Sequence, residues 1–268
     1  MSITATLEVR PVSDEEVEFF RINGWVHLPN LVSRDAAQSI LDWFHSQVGD
    51  DSSQPGPNAV HPKGSLSYYY EPASQDEFME SVAHAEGFGQ AAARLMREPA
   101  VRYTWDTGLV KPPASTGGEA TLWHQDWPEW PIDRVGSLGF WLALDEVTTS
   151  MGSLRFLSGS RRCGPLGMRP RSNPSLQLTD EYPWLLEEFE ASPLLHLNPG
   201  DATVHDGLTV HSAGENQSEN FRWAYAWGYI PAHARYTGKP SRHTDGLGLK
   251  IGEEWDDPKF PLFTAPSA

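Results

Sequence analysis

Cysteine is almost absent from this sequence. Cys163 stands alone, so no disulfide can form within the chain and nothing points to an oxidising compartment. Positive charge is scarce as well, with 20 Lys and Arg against 36 Asp and Glu and a formal net charge of −16. Nucleic acids and anionic membrane surfaces would repel so acidic a chain, so the expected partner is a small molecule, with no nucleic acid and no membrane. No stretch approaches the roughly 18 apolar residues of a membrane span. The opening MSITATLEVRPVSDEE lacks a basic region followed by an apolar run, so the expected location is cytoplasmic. Internal repeats and low-complexity tracts are missing too. Aromatic side chains are plentiful: 11 Trp, 11 Phe and 8 Tyr among 268 residues suffice for a full core in one domain.

Local signals divide the chain into a helical part over about 13–97 and a β-rich core over about 101–231. Ser13 with Glu16 reads as a capping box for a helix over about 13–22 that stops at Gly24. A strand from Trp25 to Leu28 follows. Ser33 then caps a second helix, with Ala37, Ile40, Leu41 and Phe44 at helical spacing. Residues 50–65 are rich in Asp, Ser, Pro and Gly and read as a mobile loop. A third helix is predicted over 76–97, with Phe78, Val82, Phe88, Ala92 and Leu95 on one face. From residue 101, short apolar or alternating runs separated by turn residues indicate a sandwich or barrel. Residues 160–193, with Arg161, Arg162, Arg169, Arg171 and several prolines, read as a lid-like insertion. The polar stretch 235–268 is expected to wrap over the barrel, and the whole of 1–268 to form one domain.

Two H-x-D matches occur, His124-Gln125-Asp126 and His243-Thr244-Asp245. On a strand, residues two apart point the same way and can meet one ion. A site of two histidines and one carboxylate needs a further histidine from a distant strand. His211, at 211 − 124 = 87 residues further on, supplies it for the first match. No histidine follows Asp245, whose neighbours Ser241, Arg242 and Gly246 read as a surface loop, so the second match is taken as structural. His205 reads as a pocket or core histidine and His196 as ordinary strand filling. Arg222, at 222 − 211 = 11 residues past His211, starts the alternating run to Tyr229. A guanidinium buried there needs an anionic partner, which a dicarboxylate co-substrate supplies through a bidentate bridge. Trp123, Trp127 and Trp130 are expected to flank the metal and to suit an apolar or ring-bearing substrate.

At these residues the chain resembles the phytanoyl-CoA dioxygenase family of iron(II)/2-oxoglutarate oxygenases. The similarity runs through Gly24-Trp25, Val110-Lys111-Pro112-Pro113, His124-Gln125-Asp126, Leu144-Asp145, Gly152-Ser153-Leu154, Ser158-Gly159-Ser160, Gly200-Asp201, His211, Asn216 and Arg222, spanning most of residues 15–231. The resemblance implies a mainly β fold, a double-stranded β-helix or cupin-like jelly roll with N-terminal helices packed on one sheet. It implies Fe(II) held by His124, Asp126 and His211 as the catalytic centre, and Arg222 on the distal carboxylate of 2-oxoglutarate. Trp141 would pack beside that co-substrate and Thr107 would lie on a strand lining it. O2 is the second co-substrate and ascorbate an optional reductant. Related halogenases leave the carboxylate position empty for chloride, so Asp126 implies oxygenation.

Hydroxylation is the expected outcome. Cyclisation, epimerisation or desaturation in secondary metabolism is the alternative with the same cofactor. A jelly roll that binds metal or ligand without turnover, and a metal isomerase or hydrolase needing no Arg222, are the rivals of other classes. Two departures stand out: Ser212 where the family often has Gly, and Arg161 where Gly-Ser-His is common. Both are expected near the pocket mouth, so the family's fatty acyl-CoA substrate is not carried over.

Overall fold

The computed structural model describes residues 7–50, 59–60, 66–167 and 176–266, with the backbone alone at 59 and 60. Most of the loop expected at 50–65, and Arg169 and Arg171 of the insertion, lie outside the described residues.

The capping box forms as expected: Ser13 Oγ accepts the Glu16 N–H at 3.2 Å and Glu16 Oε2 accepts the Ser13 N–H at 2.7 Å. It opens α1 (Asp14–Asn23), which turns at Gly24 into β1 (Trp25–Leu28). Ser33 caps α2 (Arg34–Val48), which buries Ala37, Ile40, Leu41, Phe44 and Val48 along one face. Next come β2 (Ala59–Val60) and β3 (Ser67–Tyr70). The helix expected over 76–97 is two helices, α3 (Glu77–Ala83) and α4 (Glu86–Met96), with Ala85 extended between them. Met79 and Val82 from one, and Phe88, Ala92 and Leu95 from the other, enter one core, so the apolar stripe is continuous. Its periodicity therefore hides the break between them.

The β part comprises β4 (Ala100–Lys111), β5 (Thr121–His124), β6 (Leu138–Ala143) and β7 (Leu154–Phe156), then α5 (Leu178–Glu181) and α6 (Trp184–Glu188). It continues with β8 (Ala202–Asp206), β9 (His211–Ala213), β10 (Arg222–Pro231) and β11 (Leu262–Thr264). The larger sheet runs β1-β8-β6-β10-β4-β3-β2 with β11 beside β4, and the smaller runs β5-β9-β7. These antiparallel sheets with flanking helices are the cupin-like jelly roll the sequence led us to expect.

Alternation along the strands decides what lies between the sheets. On β10, Trp223, Tyr225, Trp227 and Tyr229 pack with the helices, while Ala224 and Ala226 face inward with Trp141 and Ala143 of β6. A bulge on β4 places Trp105 opposite Gly228 but Tyr103 opposite Tyr229, so Tyr103 stays with the helices while Trp105 turns inward. The small Ala213 and Ala226 leave room for a cavity of about 280 Å³ among the inward-facing side chains. The stretch 235–268 does more than wrap the barrel, because Trp255 and Phe260 are buried against Ile132 and Ile230. In the insertion, Leu178, Leu185 and Phe189 pack on Leu157 and Val210. Among the described residues, none of 160–193 lines the cavity.

Candidate metal centre

β5 and β9 pair so that His124 stands opposite His211, their ring centroids 4.2 Å apart. The chain then leaves β5 through a tight turn, where the Asp126 and Trp127 N–H groups donate to the Gly207 carbonyl at 3.0 and 2.8 Å. One strand pair and one turn thus bring ligand atoms of His124, Asp126 and His211 within 4.8 Å of one another. Asp126 Oδ1 lies 3.4 Å from His124 Nε2 and 3.7 Å from His211 Nε2.

The tautomers follow from the outer partners. His124 Nδ1 is 2.7 Å from the Leu122 carbonyl and His211 Nδ1 is 3.0 Å from the Thr209 carbonyl. A carbonyl only accepts, so each Nδ1 carries the proton and each Nε2 turns a lone pair toward Asp126. Burial, together with the neighbouring His124 and His205, holds the His211 pKa well below the ordinary imidazole value, so the ring is neutral at physiological pH. Burial alone would raise the Asp126 pKa, but the surrounding imidazoles outweigh it and hold the carboxyl well below its usual range. Two imidazole nitrogens and a carboxylate oxygen converge on one point, an arrangement that a bound cation stabilises. Two histidines and one carboxylate on one face form the donor set suited to non-haem iron(II).

His205, read from sequence as a pocket or core histidine, touches the carboxylate: its Nε2–H donates to Asp126 Oδ2 at 3.0 Å. Its buried Nδ1 has no hydrogen-bond partner among the described residues. Gly139, opposite it on β6, makes the fit possible, since a Cβ there would lie 3.1 Å from His205 Cε1 and Nε2.

Arg222 is 2% exposed, and its guanidinium carbon lies 5.2 Å from the Trp141 ring centroid. Its Nη1 donates to the Gly152 carbonyl, while the buried Nε has no hydrogen-bond partner among the described residues. Gly152 sits at φ +68°, and a Cβ there would meet the Gly214 carbonyl oxygen at 2.3 Å, so only glycine allows this approach. Burial lowers the Arg222 pKa to about 10. Lys111, opposite Arg222 on β4, donates from Nζ to the Gly214 carbonyl at 2.7 Å. Burial and the charge of Arg222 push its pKa down to about 7. Among the described residues neither cation forms an ion pair, though the Glu215 charge acts on Lys111; Arg222, which lines the cavity, can take a small dianion.

Thr107, His124, Asp126, Trp141, His211 and Arg222 all line the cavity, and Trp141 is buried. Thr107 Oγ1 lies 3.1 Å from the Tyr69 and Gly108 carbonyls, so the backbone takes its hydrogen and the cavity sees only its lone pairs.

Several expectations need correction. Trp123 precedes His124 on β5 and so points the other way, into the Leu157 and Val210 cluster. Trp127 packs near Ile132 and its indole donates to the Arg134 carbonyl at 2.8 Å. Of the three tryptophans expected at the metal, only Trp130 lines the cavity. Ser212 alternates away from the cavity, and Arg161 pairs with Asp206 at 3.2 Å over the Phe20 ring, so neither is at the mouth. His196 is exposed and pairs with Glu146 at 2.8 Å instead of filling a strand. Among the described residues His243 and Asp245 form no metal-ligand cluster: Asp245 accepts the Ser241 N–H at 3.1 Å, whereas His243 lines the cavity. The reading of residues missed His243, Tyr68, Tyr70 and Trp105 as lining residues, and Lys111 as a buried cation.

The sequence matches the family profile described as Phytanoyl-CoA dioxygenase (PhyH) over residues 20–224. The peroxisomal phytanoyl-CoA dioxygenase of Rattus norvegicus is 24% identical over 264 residues, covering 92% of this chain and 77% of the rat protein. Among solved structures, the non-heme alpha ketoglutarate dependent carbocyclase SnoK from nogalamycin biosynthesis superposes with a TM-score of 0.74 at 25% identity, over 94% of this chain and 97% of that one. The epimerase SnoN from the same biosynthesis gives 0.73 at 22% identity, over 93% and 97%, and shows the shared fold.

Proposed function

This chain belongs to the phytanoyl-CoA dioxygenase family of iron- and 2-oxoglutarate-dependent oxygenases, and from that premise we propose that it hydroxylates a small apolar or ring-bearing metabolite. In this reading, which takes the chain as a single oxygenase domain, 2-oxoglutarate and O2 are consumed to succinate and carbon dioxide, and one oxygen atom enters the substrate. The observation that carries it is the convergence of ligand atoms of His124, Asp126 and His211 within 4.8 Å in one cavity with the buried guanidinium of Arg222, which forms no ion pair among the described residues.

The metal, when bound, supplies the oxygen chemistry. The protein positions and shields. His124, Asp126 and His211 hold the ion, and His205 holds Asp126 with one oxygen turned to it. Arg222 grips the distal carboxylate of 2-oxoglutarate. Trp141 and Thr107 form the wall against which that co-substrate lies. The aliphatic and aromatic lining beyond them excludes water and leaves room for a substrate.

A second reading keeps the cofactors and changes the outcome to ring closure or inversion at carbon. The similarity to a carbocyclase and to an epimerase, the latter also solved with Fe3+, alpha ketoglutarate and nogalamycin RO, supports it. One experiment tests both: purified protein with iron(II), 2-oxoglutarate and O2 is screened against small molecules for stimulated succinate formation. A product heavier by one oxygen atom supports hydroxylation; loss of two hydrogens indicates ring closure or desaturation, and unchanged mass with new retention indicates epimerisation. No succinate from wild type, or equal succinate from His124→Ala, would refute the oxygenase reading.

A further inference from the structure

Removing from the cavity wall the residues already assigned to metal and co-substrate leaves a rim composed mainly of rings. Trp105 comes from β4, Trp130 follows the Asp126 turn, and His243 comes from the C-terminal stretch; all three line the cavity and are partly exposed. The ring planes of Trp105 and Trp130 are 27° apart with centroids at 5.8 Å. Trp130 and His243 are 25° apart at 5.8 Å, and Trp105 and His243 are 39° apart at 6.4 Å. On the adjacent strand, the Tyr68 and Tyr70 ring planes are parallel within 1° with centroids at 5.3 Å. Near-parallel rings also occur in the core, as Phe140 with Trp227 at 14°, but there both faces are buried, whereas Trp105, Trp130 and His243 are partly exposed and line the cavity.

His243 is held in this alignment from outside the cavity. Glu71 Oε1 accepts from His243 Nδ1 at 3.0 Å and from Lys259 Nζ at 2.8 Å, and Lys259 Nζ also donates to the His243 carbonyl at 3.1 Å. Glu71 itself occupies φ 56°, a conformation that a residue with a side chain rarely adopts. Its backbone N–H is fixed on the Asp106 carbonyl at 3.0 Å. A strained residue, a carboxylate and a lysine thus converge on one imidazole.

We propose that Trp105, Trp130 and His243 form a stacking subsite for a flat aromatic ring of the primary substrate, and that Glu71 is the positioning residue that sets His243 within it. The proposal rests on the oxygenase reading for its role but not for its test. A flat ring gains face-to-face contact with aligned planes that a puckered ring of equal carbon number cannot make. The subsite therefore discriminates by planarity, and Glu71 acts on substrate affinity without touching substrate.

The test uses the full chain with naphthol and its saturated counterpart decahydronaphthol as probes. Binding is read by tryptophan fluorescence and calorimetry, both without metal and with iron(II) and 2-oxoglutarate under nitrogen. Naphthol is expected to bind about tenfold tighter than decahydronaphthol. Trp130→Ala and His243→Ala are each expected to erase that preference, while the iron(II)/2-oxoglutarate absorption band persists. Glu71→Gln is expected to weaken naphthol binding and to raise KM for an aromatic substrate without lowering kcat. The double variant Glu71→Gln/His243→Phe, whose apolar ring needs no ionic partner, is expected to restore affinity. Equal affinity for the two probes in wild type, or preference intact in both alanine variants, would overturn the proposal. Loss of the band with probe discrimination intact would instead condemn the oxygenase reading and leave the subsite standing.

Discussion

His205 donates a hydrogen bond of 3.0 Å to Asp126 Oδ2, the carboxylate oxygen other than the one facing His124 and His211. The bond fixes the carboxylate rotamer and leaves Oδ1 for the ion. Outer partners of this kind are worth about 10- to 100-fold in metal affinity. His205→Ala is accordingly expected to weaken iron(II) binding by that factor, and His205→Gln, which keeps a donor, to recover most of it. Competition against a coloured chelator measures both, and unchanged affinity in His205→Ala would remove the assigned role.

Gly139→Ala tests the same contact from behind. The new methyl would sit 3.1 Å from the His205 ring and 3.7 Å from Asp126 Oδ2, so the imidazole must give way. We expect an overpacking cost of about 1–3 kcal/mol in a urea titration, together with weaker metal binding. Wild-type values for both would mean that the ring has slack.

Much of this site is legible in the sequence because its determinants are local. His124 ends a strand and Arg222 opens one, so period-two reasoning places both on the inner face, while Asp126, two residues past His124, reaches the same point through the turn that follows β5. The same rule, applied strictly, would have removed Trp123 and Ser212, each adjacent in sequence to a cavity histidine. His205 is different, because its contact depends on the register of β8 against β6 and on a glycine opposite it. His243 reaches the rim through Glu71 and Lys259, separated from each other by 188 positions, and no local pattern encodes that. The break at Ala85 was invisible because both helical halves feed one apolar stripe.

Arg222 should cost stability until an anion arrives. Burial lowers its pKa from 12.5 to about 10, which corresponds to a penalty of about 3 kcal/mol for the charged form at neutral pH. Arg222→Met is therefore expected to melt no lower than wild type without ligand. With manganese(II) present, 2-oxoglutarate is expected to raise Tm of the wild type but not of the variant. Stabilisation of the variant by 2-oxoglutarate equal to that of wild type would overturn the anion-binding role.

Lys111 makes stability depend on pH in a defined window. Its folded pKa is about 7 against 10.5 unperturbed, so between those values the unfolded chain holds more protons and stability rises with pH. Below the lower value the penalty is complete; above the upper it is gone. Lys111→Met, which keeps the apolar stem, is expected to be more stable than wild type at neutral pH and to lose the advantage as pH approaches 10.5. Urea midpoints across that window check this, and parallel curves for the two proteins would contradict it.

The most direct measurement is the visible absorption of anaerobic protein titrated with iron(II) and then 2-oxoglutarate. A weak charge-transfer band should grow with the co-substrate in wild type and be absent from Asp126→Ala and His211→Ala. A wild type that binds iron(II) without developing the band, or an Asp126→Ala variant that develops it unchanged, would contradict the assignment of this metal centre.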